Sequence, residues 1–188
     1  MKKAVMLFAE GYEEVEALMT ADLLIRGGVD LKLVSITEAI QVTGSHGIAV
    51  SMDRTLAQVS MEEQDAVILP GGMPGTKNLG ASDRVTKALK QMNEAGKIVA
   101  AICAAPSVLG ACGILEGKKA TCYPGFEDQL TGAEFVDEMA VIDGNVITSR
   151  GLGTSMEFGF ALLQELVSRE KAEEIRQQIV FKYNIVSK

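Results

Sequence analysis

Histidine, cysteine and tryptophan are scarce in this sequence of 188 residues, which has one histidine, three cysteines and no tryptophan. A small, odd number of cysteines argues against a framework of disulfide bonds. The ligand patterns of common zinc sites, paired cysteines or an HExxH helix, are also lacking, so we expect no metal. His46 precedes every cysteine in the chain, so a catalytic cysteine with a downstream histidine cannot be built.

Positive charge is also in short supply, because 18 lysines and arginines stand against 25 aspartates and glutamates. The resulting net charge of −7 argues against a protein that binds nucleic acid, which needs a basic face. We therefore expect no nucleic-acid partner.

Long apolar segments are few and interrupted. The stretch Ile98–Leu115 has 18 residues without a charge, the length of a membrane-spanning helix. Pro106, Gly110 and Gly113 divide it, however, and it begins with a short strand-like run. The N-terminal apolar run Ala4–Ala9 is shorter than the core of an export signal. We expect no membrane association and a cytoplasmic protein.

What the chain does contain is a regular alternation of strand-like and helix-like segments, without a linker or repeat. This alternation predicts one α/β domain over residues 1–188, with a mostly parallel sheet covered by helices on both faces. The predicted strands include Ala4–Ala9, Leu31–Ile36, Ala66–Leu69 and Ile98–Ile102, and the predicted helices include Val15–Arg26, a helix capped by Ser82, Thr154–Ser168 and Glu170–Gln178. Hairpins are predicted at Gly44–Gly47 and at Asp143-Gly144.

The apolar stripe of the first helix is predicted from its periodicity. It consists of Ala17, Leu18, Ala21, Leu24 and Ile25. Glu16 lies off this stripe.

Cys103 ends the apolar run Ile98–Ile102 and is followed by small residues and then a helix. A strand, a nucleophile and a helix in this order form a nucleophile elbow. The start of a helix favours negative charge, so this position is expected to make the thiolate more accessible. The alternative is a buried structural cysteine. Cys112, at a helix end, and Cys122, in a predicted strand, lack such a context and are interpreted as structural.

A glycine-rich loop, Pro70–Gly75, follows another predicted strand. Consecutive N–H groups in such a loop can converge into an anion-binding nest, which beside Cys103 would receive a developing oxyanion. It lacks the spacing of a phosphate-binding loop. The alternative is an ordinary strand-to-helix connection.

Four acidic residues open the first helix, namely Glu10, Glu13, Glu14 and Glu16. Their plainest interpretation is a solvated group that interacts favourably with the helix dipole. Because the periodicity does not select Glu16, the residues alone leave an acid partner for Cys103 unassigned. His46 is interpreted as a solvent-exposed hairpin residue.

Four ordered motifs together resemble the DJ-one/ThiJ/PfpI superfamily, and in particular its parkinsonism-associated deglycase subgroup and bacterial ThiJ-type relatives. They are Glu13-Glu-Val-Glu16, Leu69-Pro-Gly-Gly72, Ala100-Ala-Ile-Cys103-Ala-Ala-Pro106 and Thr148-Ser-Arg-Gly151. The resemblance implies a flavodoxin-like three-layer sandwich, similar to class I glutamine amidotransferases, and a homodimer without cofactor.

The resemblance also implies roles for individual residues. Cys103 would be the nucleophile and Glu16 the protonated carboxyl group beside it, which fits two acids with pKa values driven apart. The N–H groups of Gly72 and Ala104 would form the oxyanion site, and Gly71 would line the pocket.

Two positions depart from the family pattern. Tyr123 stands where many members have a histidine before the proline, and Leu152 stands where the family has a proline. Proton transfer would then fall to Glu16, with water or the Tyr123 hydroxyl as helper, although tyrosine, with a pKa near 10, is a poorer shuttle at neutral pH. His46 aligns with a basic position near the neighbouring subunit's pocket in family dimers, so a compensating role is its alternative interpretation.

The leading functional hypothesis is therefore a cysteine-dependent enzyme for α-oxoaldehydes, acting as a glyoxalase or deglycase on a small aldehyde or a glycated substrate. The second hypothesis is a redox sensor or holdase chaperone that responds to peroxide through oxidation of Cys103. A role in thiamine-precursor metabolism or as a PfpI-type peptidase is the third.

Overall fold

The computed structural model describes residues 1–182, and residues 183–188, the end of the expected single domain, lie outside the described residues. Its strands are β1 (Lys3–Phe8), β2 (Asp30–Ser35), β3 (Gln41–Thr43), β4 (Ala49–Ser51), β5 (Arg54–Thr55), β6 (Ala66–Leu69), β7 (Ile98–Ile102), β8 (Lys119–Ala120), β9 (Glu134–Phe135), β10 (Ala140–Asp143) and β11 (Val146–Ser149). Its α-helices are α1 (Glu14–Arg26), α2 (Gly75–Gly80), α3 (Asp83–Glu94), α4 (Pro106–Ala111), α5 (Ser155–Leu166) and α6 (Arg169–Gln178).

Seven strands form the central sheet in the order β10-β11-β7-β6-β1-β2-β5. All neighbours in it run parallel except β10 and β11, which form an antiparallel hairpin at one edge. β3 and β4 form a separate antiparallel hairpin, and β8 pairs with β9. The mostly parallel α/β sandwich predicted from the sequence is confirmed.

Alternation along β1 explains the three layers. Met6 and Phe8 pack into a core with α1, α5 and α6 on one face, while Val5 and Leu7 pack into a second core with α3 and α4 on the other. Successive side chains of a strand point to opposite faces, so a strand that is apolar at every position is buried on both sides.

The helix boundaries follow local signals. Ser82 accepts the N–H of Val85 and caps α3, as predicted. The stripe predicted for α1 is partly wrong, because Ile25 is 57% exposed and Leu23 is buried. α1 packs against α5 as well as the sheet, and Leu23 fits against Gly159 of α5, so neighbouring elements on two sides decide which face is covered.

Two further sequence predictions need correction. Cys122 is not in a strand: β8 ends at Ala120, and the N–H of Thr121 donates to the side-chain oxygen of Thr148 instead of continuing a ladder. In the β10–β11 hairpin at one edge of the central sheet, Asp143 still pairs with Val146. The turn therefore lies one residue later than the predicted Asp143-Gly144.

The carboxyl ends of β1, β6, β7 and β11 meet at one edge of the sheet, because these four strands are adjacent and parallel. The acidic start of α1, the glycine-rich loop, Cys103 and Gly151 follow these strand ends directly. Ligand sites of open α/β sheets lie at such edges. Within residues 1–182, none of the helices is both long enough and apolar enough to cross a membrane.

Candidate active site

Cys103 occupies a strained turn between β7 and α4. Its φ of 67° lies in the left-handed region that a side chain with a Cβ rarely adopts. Two bonds hold this turn in place: the Cys103 N–H donates to the Ser149 carbonyl at 2.9 Å, and the Cys103 carbonyl accepts from the Tyr123 N–H at 2.8 Å. The strand–cysteine–helix pattern thus has the geometry of a nucleophile elbow, with a partly exposed thiol.

Glu16 is the acid beside this thiol. Its side chain lies in the first turn of α1, where only 1% of the residue is exposed. The carboxyl group forms a hydrogen bond with Cys103 and accepts from the Gly71 N–H at 2.9 Å. Periodicity missed this residue because the buried face of α1 includes its N-terminal end, which touches the loop after β6; the family resemblance was the only signal for it.

Two glycines allow the backbone to approach the pair. A Cβ atom on Gly71 would lie 2.5 Å from Cys103 Cβ and 2.6 Å from Glu16 Oε2, so no side chain fits there. Gly72 adopts a φ of 91°, which a glycine tolerates without strain. The N–H groups of Gly72 and Ala104 both donate to the Cys103 sulfur, so the structure brings together the four groups that the resemblance implies.

The electrostatics of the pair agree with the sequence-based expectation for Glu16 and differ from it for Cys103. Burial raises the pKa of Glu16 to about 7, and the charge of Glu13 acts in the same direction. Burial, together with the negative charge of ionised Glu16, raises the pKa of the Cys103 thiol to about 12, against the opposing N–H groups of Gly72 and Ala104. The expected lowering by the helix start is wrong, because α4 is short and begins only at Pro106, whereas a buried carboxyl group touches the sulfur.

The two acids are therefore coupled through one proton. While Glu16 is ionised, its charge opposes formation of the thiolate. When Glu16 carries the proton, this repulsion disappears and the carboxyl group becomes a hydrogen-bond donor to the sulfur. The pair can thus store a proton beside a nucleophile.

Two of the other three glutamates of the acidic cluster, Glu13 and Glu14, are buried and not solvated, contrary to the sequence-based interpretation. Glu13 caps α1 by accepting the Glu16 N–H at 2.6 Å. Glu14 is 3% exposed and accepts hydrogen bonds from the β3–β4 hairpin. Only Glu10 lies at the surface, where it accepts from Thr43. The interaction of this cluster with the start of the helix agrees with the prediction, but its burial does not.

His46 lies in the β3–β4 hairpin with an exposed side chain, as predicted. Its Nδ1 lies 2.8 Å from Glu14 Oε2 and 4.0 Å from Glu13 Oε1. Among the described residues, these three side chains form a group whose potential ligand atoms lie within 4.8 Å of one another. Because hydrogen bonds between α1 and the hairpin already use these atoms, we assign no metal to them.

Tyr123 lies at the edge of the site with its side chain about half exposed. A Cβ on Gly151 would lie 3.2 Å from Tyr123 Cδ2 and 3.7 Å from Glu16 Oε1, so the tyrosine ring packs over the glycine beside Glu16. Tyr123 is therefore adjacent to the pocket, in the position the sequence suggested.

The two remaining cysteines lie elsewhere. Cys112 follows the last residue of α4, and Cys122 is fully buried in the second core. Burial raises the pKa of both thiols, that of Cys122 to about 11. Both environments are those of structural cysteines.

Comparison with known proteins matches this chain to relatives over most of its length. It is 38% identical over 185 residues to the Drosophila melanogaster protein dj-1beta, covering 97% of this chain and 99% of the relative. It is 40% identical to Arabidopsis thaliana protein DJ-1 homolog B, of which it spans only 42%. Pyrococcus horikoshii Deglycase PH1704 is 36% identical over 150 residues, covering 79% of this chain and 89% of that protein.

Solved structures agree with the sequence matches. The structure described as Toxoplasma gondii DJ-1, oxidized, superimposes with a TM-score of 0.93 at 33% identity, covering 97% of this chain and all of that chain. The model of the DJ-1/PfpI family matches residues 2–165, a range that contains Glu16, Gly72 and Cys103. The sequence motifs, the sandwich and these matches agree, and the chain belongs to the DJ-1/PfpI family.

Proposed function

We propose that the protein is a cysteine-dependent enzyme that converts α-oxoaldehydes, free or as adducts of amines and thiols, into hydroxy acids. The observation that carries this proposal is the hydrogen-bonded pair of Cys103 and Glu16 with the N–H groups of Gly72 and Ala104 on the sulfur. A nucleophile with an adjacent acid–base group suits carbonyl chemistry. The name of the Pyrococcus horikoshii relative, a deglycase, supports the same class of reaction.

Methylglyoxal illustrates the first half of the reaction. The Cys103 thiolate attacks the aldehyde carbon to form a C–S bond, and protonated Glu16 gives its proton to the aldehyde oxygen. The product of this step is a hemithioacetal, and Glu16 is left ionised. The N–H groups of Gly72 and Ala104 stabilise the negative charge that develops on the oxygen.

In the second half, ionised Glu16 takes the proton from the former aldehyde carbon and returns it to the ketone carbon, while the hydroxyl proton of the hemithioacetal passes to the former ketone oxygen. The first carbon is thereby oxidised and the second reduced, so no external oxidant is needed. The result is a thioester of lactate on Cys103. Water cleaves the C–S bond, releases lactate and restores the thiol and carboxyl pair.

The test is lactate formation from methylglyoxal by the wild type and three variants. Cys103→Ser is expected to lose at least about 1,000-fold in kcat/KM, and Glu16→Gln about 100- to 10,000-fold. Cys112→Ser is the matched control and is expected to keep wild-type activity. Equal rates for the wild type and Cys103→Ser would refute the proposal.

A second candidate function is peroxide sensing by oxidation of Cys103. Two N–H donors and a carboxyl group facing one sulfur suit a sulfinate, which carries two oxygens. A structural neighbour described as oxidized supports this possibility. Mild peroxide should then add two oxygens to the peptide that contains Cys103 in the wild type, and fewer in Glu16→Ala. Oxidation found only on methionines would contradict it.

We also propose a homodimer, the assembly that the family resemblance implies. An apolar groove of about 660 Å³ runs beside α1 and is lined by residues that include Leu18, Met19, Ile48 and Met156. Ile48 is 55% exposed and extends this apolar face onto the hairpin. A second copy would cover it.

Sedimentation equilibrium tests the assembly. The wild type is expected to have twice the chain mass of 20.0 kDa. Ile48→Lys should weaken the dimer, whereas Val167→Lys, at an exposed position on another surface, should not. A monomeric wild type at micromolar concentration would contradict the dimer.

A further inference from the structure

Three large apolar residues, adjacent to the site through the chain or the fold, are partly open to solvent. Met73 is 42% exposed, Tyr123 49% and Leu152 51%. Large apolar groups that stay exposed around a reactive thiol offer a surface for an apolar part of a ligand. We call Met73, Tyr123 and Leu152 the apolar rim.

Each member of the apolar rim is held close to the reacting atoms through the backbone. Met73 directly follows Gly72, whose N–H donates to the Cys103 sulfur. The Leu152 N–H donates to the Glu16 carboxyl group. The Tyr123 N–H donates to the Cys103 carbonyl. The backbone that carries the rim is therefore fixed relative to the sulfur by the same contacts that build the site.

The charges near the pair are negative. Ionised Glu16 raises the pKa of Cys103, and Glu13 raises that of Glu16. Both glutamates are buried, so water screens their charge weakly.

Within one chain, two cationic side chains beside this region are already paired. Arg150, which directly precedes Gly151, donates to Asp137 and lies over the Phe135 ring at 5.8 Å. His46 binds Glu14. A carboxylate or phosphate on a substrate would therefore meet negative charge at the sulfur, and these cations are not free to receive it.

From the apolar rim and this charge distribution, we infer that the site selects neutral α-oxoaldehydes with an apolar substituent and rejects those that carry an anionic group. The inference rests on the proposed function and specifies its substrate class. A phenyl group in place of the methyl of methylglyoxal adds apolar surface that the rim can cover, so we expect about a tenfold gain in kcat/KM.

The first experiment compares methylglyoxal, phenylglyoxal and 4-carboxyphenylglyoxal as substrates. The expected kcat/KM is about tenfold higher for phenylglyoxal than for methylglyoxal, and at least about tenfold lower for 4-carboxyphenylglyoxal than for phenylglyoxal. Leu152→Ser should reduce the preference for phenylglyoxal, whereas Val167→Ser, at an exposed position away from the site, should preserve it. Turnover of all three substrates at similar rates would overturn the inference and leave the proposed function standing.

The second experiment does not depend on turnover. Cys103 is alkylated with iodoacetamide or with its anionic counterpart iodoacetate, each rate is measured by peptide mass spectrometry, and both are normalised to glutathione. We expect the preference for iodoacetamide to be at least about tenfold greater at Cys103 than at glutathione. N-benzyl iodoacetamide should react faster than iodoacetamide in the wild type but not in Leu152→Ser.

The two experiments separate the possible failures. If no substrate is turned over but alkylation shows both preferences, the proposed function fails and the selectivity of the site stands. If alkylation shows neither preference, the inference is wrong, whatever the activity.

Discussion

Glu14 and Glu16 are two residues apart in the first turn of α1, and both are almost completely buried, yet their proton affinities are shifted in opposite directions. For Glu14, burial alone would raise the pKa, but hydrogen bonds from the His46 side chain and backbone and from the Ile48 N–H lower it to about 2. Burial raises the pKa of Glu16 to about 7.

The difference lies in the partners that each carboxyl group meets. Glu14 accepts from His46 Nδ1 at 2.8 Å, from the His46 N–H at 2.7 Å and from the Ser45 hydroxyl at 3.3 Å. Glu16 accepts from the N–H groups of Gly71 and Leu152, but it also faces a thiol and the negative charge of Glu13. Because several hydrogen-bond donors surround it, Glu14 stays ionised and anchors the β3–β4 hairpin. Glu16 has fewer donors, so it exchanges a proton near neutral pH.

Among variants that test the difference between Glu14 and Glu16, we expect Gly71→Ala to have the largest effect, because it adds a methyl group where Cys103 and Glu16 meet. The new Cβ would lie 2.5 Å from Cys103 Cβ and 2.6 Å from Glu16 Oε2, so the pair must separate. We expect a loss of at least about 100-fold in kcat/KM for methylglyoxal. Gly80→Ala is the control, since its nearest contact would be an ordinary 3.5 Å. Near-wild-type activity of Gly71→Ala would show that the close pairing is not needed.

Glu14→Ala tests whether Glu14, and not Glu16, is the acid that stabilises the fold. Removal of the carboxylate leaves the N–H groups of His46 and Ile48 without their acceptor, so we expect a loss of about 2–3 kcal/mol in the free energy of unfolding. Glu16→Gln replaces a protonated acid with a group of similar shape and should change this free energy by less than about 1 kcal/mol at pH 4, where Glu16 is protonated in both the folded and the unfolded chain. Urea unfolding measures both, and equal destabilisation by the two variants would contradict the division of roles.

The pH dependence of stability should carry the signature of Glu16. Its folded pKa of about 7 lies above the usual 4.5, so the folded protein binds this proton more tightly than the unfolded chain does. The stability it contributes is complete below pH 4.5 and is lost as the pH rises through 7. Subtracting the urea-unfolding profile of Glu16→Gln from that of the wild type between pH 4 and 8 should reveal this decline. A flat difference would refute the raised pKa.

His46→Gln is expected to have the smallest effect, since the side chain is exposed and provides only one of the donors to Glu14. The hydrogen bond to Glu14 raises the pKa of His46, so its contribution to stability is complete below pH 6.5 and is lost as the pH rises through the folded value. The variant should unfold at a slightly lower urea concentration than the wild type at pH 6, with the two curves converging at higher pH. Identical curves at pH 6 would show that the contact does not stabilise the hairpin.

Local patterns predicted the elements of the fold well because the signals are short-range. The apolar runs of β1, β6 and β7 and the cap at Ser82 depend on neighbours in the chain, and the structure confirms them. Ile25 and Cys122 were misplaced because α5 and Thr148, both distant in sequence, decide their environments.

The candidate site likewise contains residues that local sequence patterns predict and one residue, Glu16, that they do not. The elbow at Cys103 and the glycines of the loop Pro70–Gly75 are visible in the order of residue types, since in each case a strand, a turn of small residues and a helix are consecutive in the chain. Glu16 is not visible in this way, because it lies 55 residues before its hydrogen-bond partner Gly71.

The amino-acid sequence was thus sufficient for the alternating architecture, the family and the position of the elbow at Cys103, all of which depend on local order or on collinear motifs. The folded chain was required to distinguish three neighbouring glutamates as helix cap, hairpin anchor and partner of the thiol. Proton affinity depends on burial and on hydrogen-bond donors, and residues of the loops that follow β3, β6 and β7 reach these carboxyl groups only when the chain has folded.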